Sequence, residues 1–241
     1  MSRAFGAWLG VGLGLVMLIA APAFAQTAPA QQPPAQQPGA QPPPPAAADQ
    51  AQAPEARVDG FRSAKWGMSE AQVKEAIHKD FNLAPDKVKS EENLAERTTV
   101  LSVTVPDLLE NTGPARVSYI LGFASKKLIQ INVLWGSAVD PQASPERIVA
   151  AANELRQLFV DSGYQPATVV TNTKLPDGSV LVFKGQDADK HTTLLRLAAA
   201  AVTPAPPKGE QPKAVDTAAL SLSYIADPVN PDIYRIKKGS F

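Results

Sequence analysis

Apolar side chains along residues 58–241 recur first with a helical period, then with period two, then helical, then two again. Few folds satisfy that order. The first helical stretch follows Ser69-Glu70-Ala71-Gln72, a capping-box pattern in which Ser69 can accept from a backbone N–H and Gln72 can reach back. Val73, Ala76, Ile77 and Phe81 then share a face, and Glu70/Lys74 and Glu75/Lys79 are i,i+4 pairs with the acid N-terminal. Pro85 marks the exit. Ahead of this helix, Phe61 to Trp66 reads as a short strand ended by Gly67.

From Val88 to Trp135 the alternation is strand-like. Thr99, Leu101, Val103 and Val105 form one series, Val117, Tyr119, Leu121 and Phe123 the next, and Ile129, Ile131, Val133 and Trp135 the third. Ser125-Lys126-Lys127 is a hairpin turn between the last two. The second helix is signed by Ser144 as cap, Pro145 in the first turn and Glu146 at the positive end. Ile148, Ala152, Leu155 and Phe159 line it, Val149 and Leu158 widen the stripe, and Gly163 closes it. Strand patterns return at Thr168 to Thr171, Val180 to Lys184, Thr192 to Ala198 and Leu220 to Ile225, with Pro204 to Pro212 a long polar loop. One-sided apolar strands imply antiparallel pairing with one face covered. The expected fold is α+β: two helices packed on antiparallel sheet. Either a helix-then-strands unit is duplicated, with halves 58–139 and 140–241, or one continuous sheet carries both helices on one face.

The N-terminus carries no core. Arg3 supplies a positive region, Ala7 to Ala21 an apolar one, and Ala23-Phe24-Ala25 an A-x-A processing site. Residues 1–25 therefore read as a secretory signal, with the mature chain beginning at Gln26. An uncleaved anchor is the alternative, because the apolar run from Ala4 to Ala25 could span hydrocarbon, but its four glycines and Pro22 weigh against it. Residues 26–57 are Pro-, Gln- and Ala-rich, with almost nothing to offset the entropy of ordering. They read as a disordered linker able to extend to roughly 90 Å in polyproline II form. The expected location is periplasmic or secreted, with no integral span after cleavage.

The formal net charge is zero, which argues against nucleic acid. Cysteine is absent, so no disulfide, thiolate nucleophile or lipid-bearing Cys exists. The two histidines, His78 and His191, lack zinc-site spacing. Ser63-Ala64-Lys65 is one residue short of S-x-x-K, and no phosphate-binding glycine loop lies in the folded part. The local carboxylate pairs, Asp107/Glu110, Asp187/Asp189 and Asp227/Asp232, read as turn residues. Nothing here calls for a cofactor or a metal. Trp66 and Trp135 end strand patterns, and Tyr234 and Phe241 lie in a basic, partly apolar C-terminal segment. Core packing accounts for both tryptophans; as an alternative, these four residues form a candidate partner surface.

Trp66-Gly67-Met68-Ser69-Glu70-Ala71-Gln72-Val73 resembles the G-M-T-x-x-x-V helix opening of secreted modules such as the BamE (SmpA/OmlA)-like and β-lactamase-inhibitor-protein-like families. The resemblance implies a helix-plus-antiparallel-sheet binding module. The chain departs from those families in having no lipid-bearing or inhibitor-type cysteines. The expected function is a non-enzymatic binding or scaffold module acting on another envelope protein. A carboxylate-based envelope hydrolase and a small-molecule or lipid-binding module are the alternatives.

Overall fold

The computed structural model describes residues 55–202, 215–236 and 239. The chain divides into two units, Met1–Gln50 and Ala51–Phe241, and the described residues belong to the second. The signal segment, its processing site at Ala23, Ala25 and Gln26, most of the linker, the Pro204 to Pro212 loop and Phe241 lie outside the described residues.

The elements in order are β1 (Gly60–Phe61), β2 (Ala64–Lys65), α1 (Glu70–Phe81), β3 (Lys89–Asn93), β4 (Thr98–Val105), β5 (Ala115–Leu121) and β6 (Leu128–Gly136). Then follow α2 (Pro145–Val160), β7 (Val170–Lys174), β8 (Val180–Gln186), β9 (Thr192–Val202) and β10 (Val215–Ile225). The fold is α+β. Eight strands make one antiparallel sheet in the order β3-β4-β5-β6-β10-β9-β8-β7. Of the two readings of the sequence, the single continuous sheet is the one found. Each half is a helix followed by a four-strand meander, and the last strand of one half pairs with the last strand of the other. At that seam Leu220 faces Trp135, Leu222 faces Val133 and Tyr224 faces Ile131.

Alternate residues of every central strand enter one core. Leu101, Val117, Tyr119, Ile131, Val133, Leu195 and Leu220 are each fully buried, as are Val73 and Ile77 of α1 and Ile148 of α2. Each such side chain contributes roughly 1.5–3 kcal/mol relative to exposure. Both helices therefore cover the same sheet face. In α1 the Gln72 carboxamide oxygen accepts the Ser69 N–H at 2.9 Å and the Ser69 hydroxyl at 3.0 Å. In α2 the Ser144 hydroxyl accepts the Arg147 N–H.

Several expectations need correction. The strand expected over Phe61 to Trp66 is a hairpin of two-residue strands, because Arg62 turns with a positive φ of 54° and Ser63 donates to Asp80 of α1. Val149 and Leu158 do not widen the α2 stripe. They are exposed, and Ala151 takes the buried position beside Ala152. In β6 the core position belongs to Leu128 rather than Ile129, because the pairing with β5 shifts register at Leu121. β9 and β10 run further than expected, to Val202 and from Val215. Thr168, expected to open a strand, instead ends a short 3-10 turn over Pro166–Thr168 before β7. Order also begins earlier than Val58: Ala56 is buried and donates to the Gly163 carbonyl at 3.0 Å. The edge strands β3, K-S-E-E-N, and β7, V-T-N-T-K, are polar and short, which discourages edge-to-edge pairing.

The C-terminal segment is docked. The Asp232 carboxylate accepts the N–H groups of Ala124 and Ser125 at 2.9 and 2.8 Å, in the turn between β5 and β6. Tyr234 donates its N–H to Glu96 and lies under the Arg97 guanidinium at 4.0 Å. Gly122 permits this approach, since a Cβ there would overlap the Asp232 carboxylate. The Ser125 hydroxyl, helped by those two N–H groups, holds the Asp232 carboxyl below its ordinary range. A carboxyl depressed on folding stabilises fully above its unfolded value, about 4, and loses that contribution as pH falls through the folded value. Amide exchange at Ala124, Ser125 and Tyr234 is therefore expected to accelerate below about pH 4 before that of core residues such as Val133. Gly122→Ser should produce the same local loosening at neutral pH. Exchange at these amides that stays in step with Val133 under both conditions would show that the Asp232 clamp does not hold the segment.

Candidate functional site

The helices leave the opposite sheet face uncovered, and strand register fixes what it presents. One row across the face runs Lys89, Ser102, Ser118, Asn132, Ser223, Leu194 and Lys184. The row on one side of it holds Thr104, Arg116, Leu134, Ser221 and Arg196. The row on the other side holds Glu91, Val100, Ile120, Gln130, Ile225 and Thr192. Small hydroxyls and amides are interspersed with aliphatic residues, Val100 and Ile120 standing directly opposite each other, and most of the central positions are half-buried. Neighbours within a row stand about 5 Å apart. The face is therefore a dense array of short hydrogen-bonding groups broken by apolar spots, with no large apolar patch. Near one end, Arg196 bonds to Asp177 and Ser179, so its charge is engaged within the chain. At the other end, Lys87, Lys89 and Arg116 border a recess of about 430 Å³ whose lining includes Ser102, Thr104 and Ser118.

A second locus lies where the chain enters the fold. Asp187, 3% exposed, begins the turn between β8 and β9. Its carboxylate accepts the Val58 N–H at 2.8 Å, the His191 N–H at 2.9 Å and a contact from His191 Nδ1 at 3.1 Å. The Trp66 indole donates to the Val58 carbonyl and its ring lies 6.1 Å from that of His191. An Asp–His pair can orient an imidazole as a base, but no hydroxyl hydrogen-bonds to His191 among the described residues. Asp189 adds a third donor, its oxygen within 4.8 Å of the ligand atoms of Asp187 and His191. Most of the Asp187 acceptor capacity is already spent on N–H groups, which suits a structural tie better than a metal ligand.

Beside this tie is a cavity of about 640 Å³ between residues 55–65, the end of α2 and the sheet. Phe61 stacks on Tyr224 at 5.8 Å at its floor, with Phe159 and Tyr164 nearby. Burial pushes the Tyr164 hydroxyl up, although its bond to Thr193 at 2.7 Å opposes that. Glu55, Arg57, Asp59, Arg62 and Lys65 share the lining, more charge than a lipid pocket carries.

The residues singled out in the sequence are not brought together. Trp66 is half-buried and bonded to Val58. Trp135 is 3% exposed and packs in the core, so it offers a partner almost no surface. Tyr234 is half-buried against Arg97 and Phe123. His78 is exposed on α1. Asp227 accepts the N–H groups of Val229 and Asn230, a local turn role, whereas Asp232 accepts from Ala124 and Ser125 in a distant turn. The Lys89/Arg116 recess was not foreseen, because its members come from three strands and each is an ordinary exposed charge when read alone. Among the described residues no helix is long and apolar enough to cross a membrane. Compared with protein-family models, with curated proteins and with solved structures, the chain matches none.

Proposed function

We propose that the chain is an exported, periplasmic binding or scaffold module, non-enzymatic, that contacts another envelope protein through the uncovered face of its sheet. The observation that carries this reading is the asymmetry of the sheet: both helices pack on the core face of its central strands, and neither covers the opposite face, whose middle rows stay half-buried. A wide array of short polar groups with a few aliphatic residues among them suits protein contact, where hydrogen bonds and small apolar spots alternate. The A-x-A site and the Pro-rich tract support export and a spacer between that surface and whatever the N-terminus meets.

Photocrosslinking in intact cells tests this directly. A photoreactive side chain at Ser118 or Asn132, both on the open face, is expected to yield a discrete crosslinked product. The same group at exposed Glu154 on α2 should yield none. An absence of product from the sheet positions, or equal yields from both surfaces, would remove the open face as the contact surface.

A further inference from the structure

We propose that the corner of the open face built by β3, β4 and β5 docks an acidic segment of the partner protein. This deepens the reading above and rests on it. The register places Lys89 opposite Ser102, Ser102 opposite Ser118, and Thr104 opposite Arg116, all on the uncovered face. Lys87 joins them at the rim of the recess. Lys89 and Arg116 make no ion pair among the described residues, and Lys87 reaches only Asp86, at 3.8 Å. Arg116 gives one N–H to the Ala138 carbonyl at 3.4 Å, which leaves most of its donors free. Glu91 is the one carboxylate in the lining. The corner thus presents three cations and three hydroxyls against one acid, in a chain whose formal net charge is zero.

That composition is rich in donors and poor in acceptors. Its complement carries several acceptor oxygens and negative charge. Lys89 and Arg116 stand on strands two apart, about 10 Å across the sheet, and one row apart along it, about 7 Å. A single small anion held between their long side chains leaves the hydroxyls along the rows unused. An extended chain with carboxylates on alternate residues, about 7 Å apart, matches the row spacing and reaches both. An acidic peptide segment is therefore the occupant that uses the whole corner.

Fluorescence anisotropy of labelled hexaglutamate, titrated with the purified full chain at low ionic strength, reads this out. The double variant Lys89→Gln/Arg116→Gln is compared with Lys174→Gln/Lys184→Gln, which removes the same charge from the other end of the sheet. Lys89, Arg116 and Lys174 are exposed and Lys184 is half-buried, and matching thermal melts confirm that the variants fold. The first pair is expected to weaken binding about tenfold and the second less than about twofold. Equal losses in the two pairs would reduce the effect to net charge and overturn the proposal, as would no binding by the unaltered chain. Displacement of the peptide by inorganic phosphate at matched ionic strength would also overturn it, in favour of a phosphate-bearing ligand. Failed crosslinking from Ser118 tells against the contact surface in cells, whereas failed hexaglutamate binding tells against this corner alone, so the two failures are separable.

Discussion

Replacing Asp187 by alanine is expected to lower the unfolding free energy by about 3–4 kcal/mol, a fall in Tm of about 10 °C for a domain of this size. The carboxylate is 3% exposed and is the shared acceptor for the N–H of Val58, the N–H of His191 and His191 Nδ1. Alanine leaves two backbone donors without partners in a place water reaches poorly, and each such donor costs about 1–3 kcal/mol. The loss spreads, because Val58 is held on both sides: its carbonyl accepts the Trp66 indole while its N–H depends on Asp187. Two residues earlier, Ala56 donates to Gly163. The variant should therefore also admit protease near residues 55–62 before the sheet opens. Asp187→Asn keeps one acceptor oxygen but turns an NH2 group toward a donor, and about 2 kcal/mol is expected. Asp189→Ala, exposed in the same turn, should stay within about 0.5 kcal/mol. Urea unfolding followed by tryptophan fluorescence measures all three; an Asp187→Ala cost under about 1 kcal/mol would show that the tie is incidental.

The same residue marks where reading the sequence stops. Asp187-Ala188-Asp189 was legible as a turn because aspartate bonds its own neighbouring backbone, and the bond to the His191 N–H is of that kind. The bond to Val58 spans 129 residues, and no local pattern encodes a partner at that distance. The helices divide in the same way. Their starts were readable from Ser69/Gln72 and Ser144/Pro145, since caps act within a few residues. Apolar character alone does not separate Leu155, packed against the core, from Leu158, 59% exposed, so the α2 stripe reads wider in the sequence than it is in the fold. Strand alternation located β4, β5 and β6. It could not say that β6 would pair with β10 rather than leave two separate sheets, because pairing partners are set by non-local packing. The open face follows from that pairing, so the candidate site was legible only as single polar residues in strands.

Gly136→Ala tests the seam itself and is expected to cost about 3 kcal/mol, more than a strained turn alone would. Gly136 ends β6 with a φ of +100°, a region that side-chain-bearing residues avoid. It faces Ala219 of β10, and a Cβ placed on it would overlap the carbonyl oxygen of Ala218. That oxygen is backbone in the adjoining strand and also accepts the N–H of Ser137 at 3.1 Å, so it cannot swing aside as a flexible side chain would. Relief requires β6 and β10 to separate at this end, and among the described residues their pairing is the one strand-to-strand junction between the two four-strand halves. Gly178→Ala supplies the control. Its φ of +83° carries a comparable conformational penalty, but a Cβ there meets nothing within 4 Å, so only about 1 kcal/mol is expected. The difference between the two variants isolates the steric term. Amide exchange should place it at the seam, with Leu134 and Leu220 losing protection before Leu101 at the far side of the sheet. Equal costs for the two glycines would mean that the strands absorb a methyl group there, and that the halves are joined less tightly than their register implies.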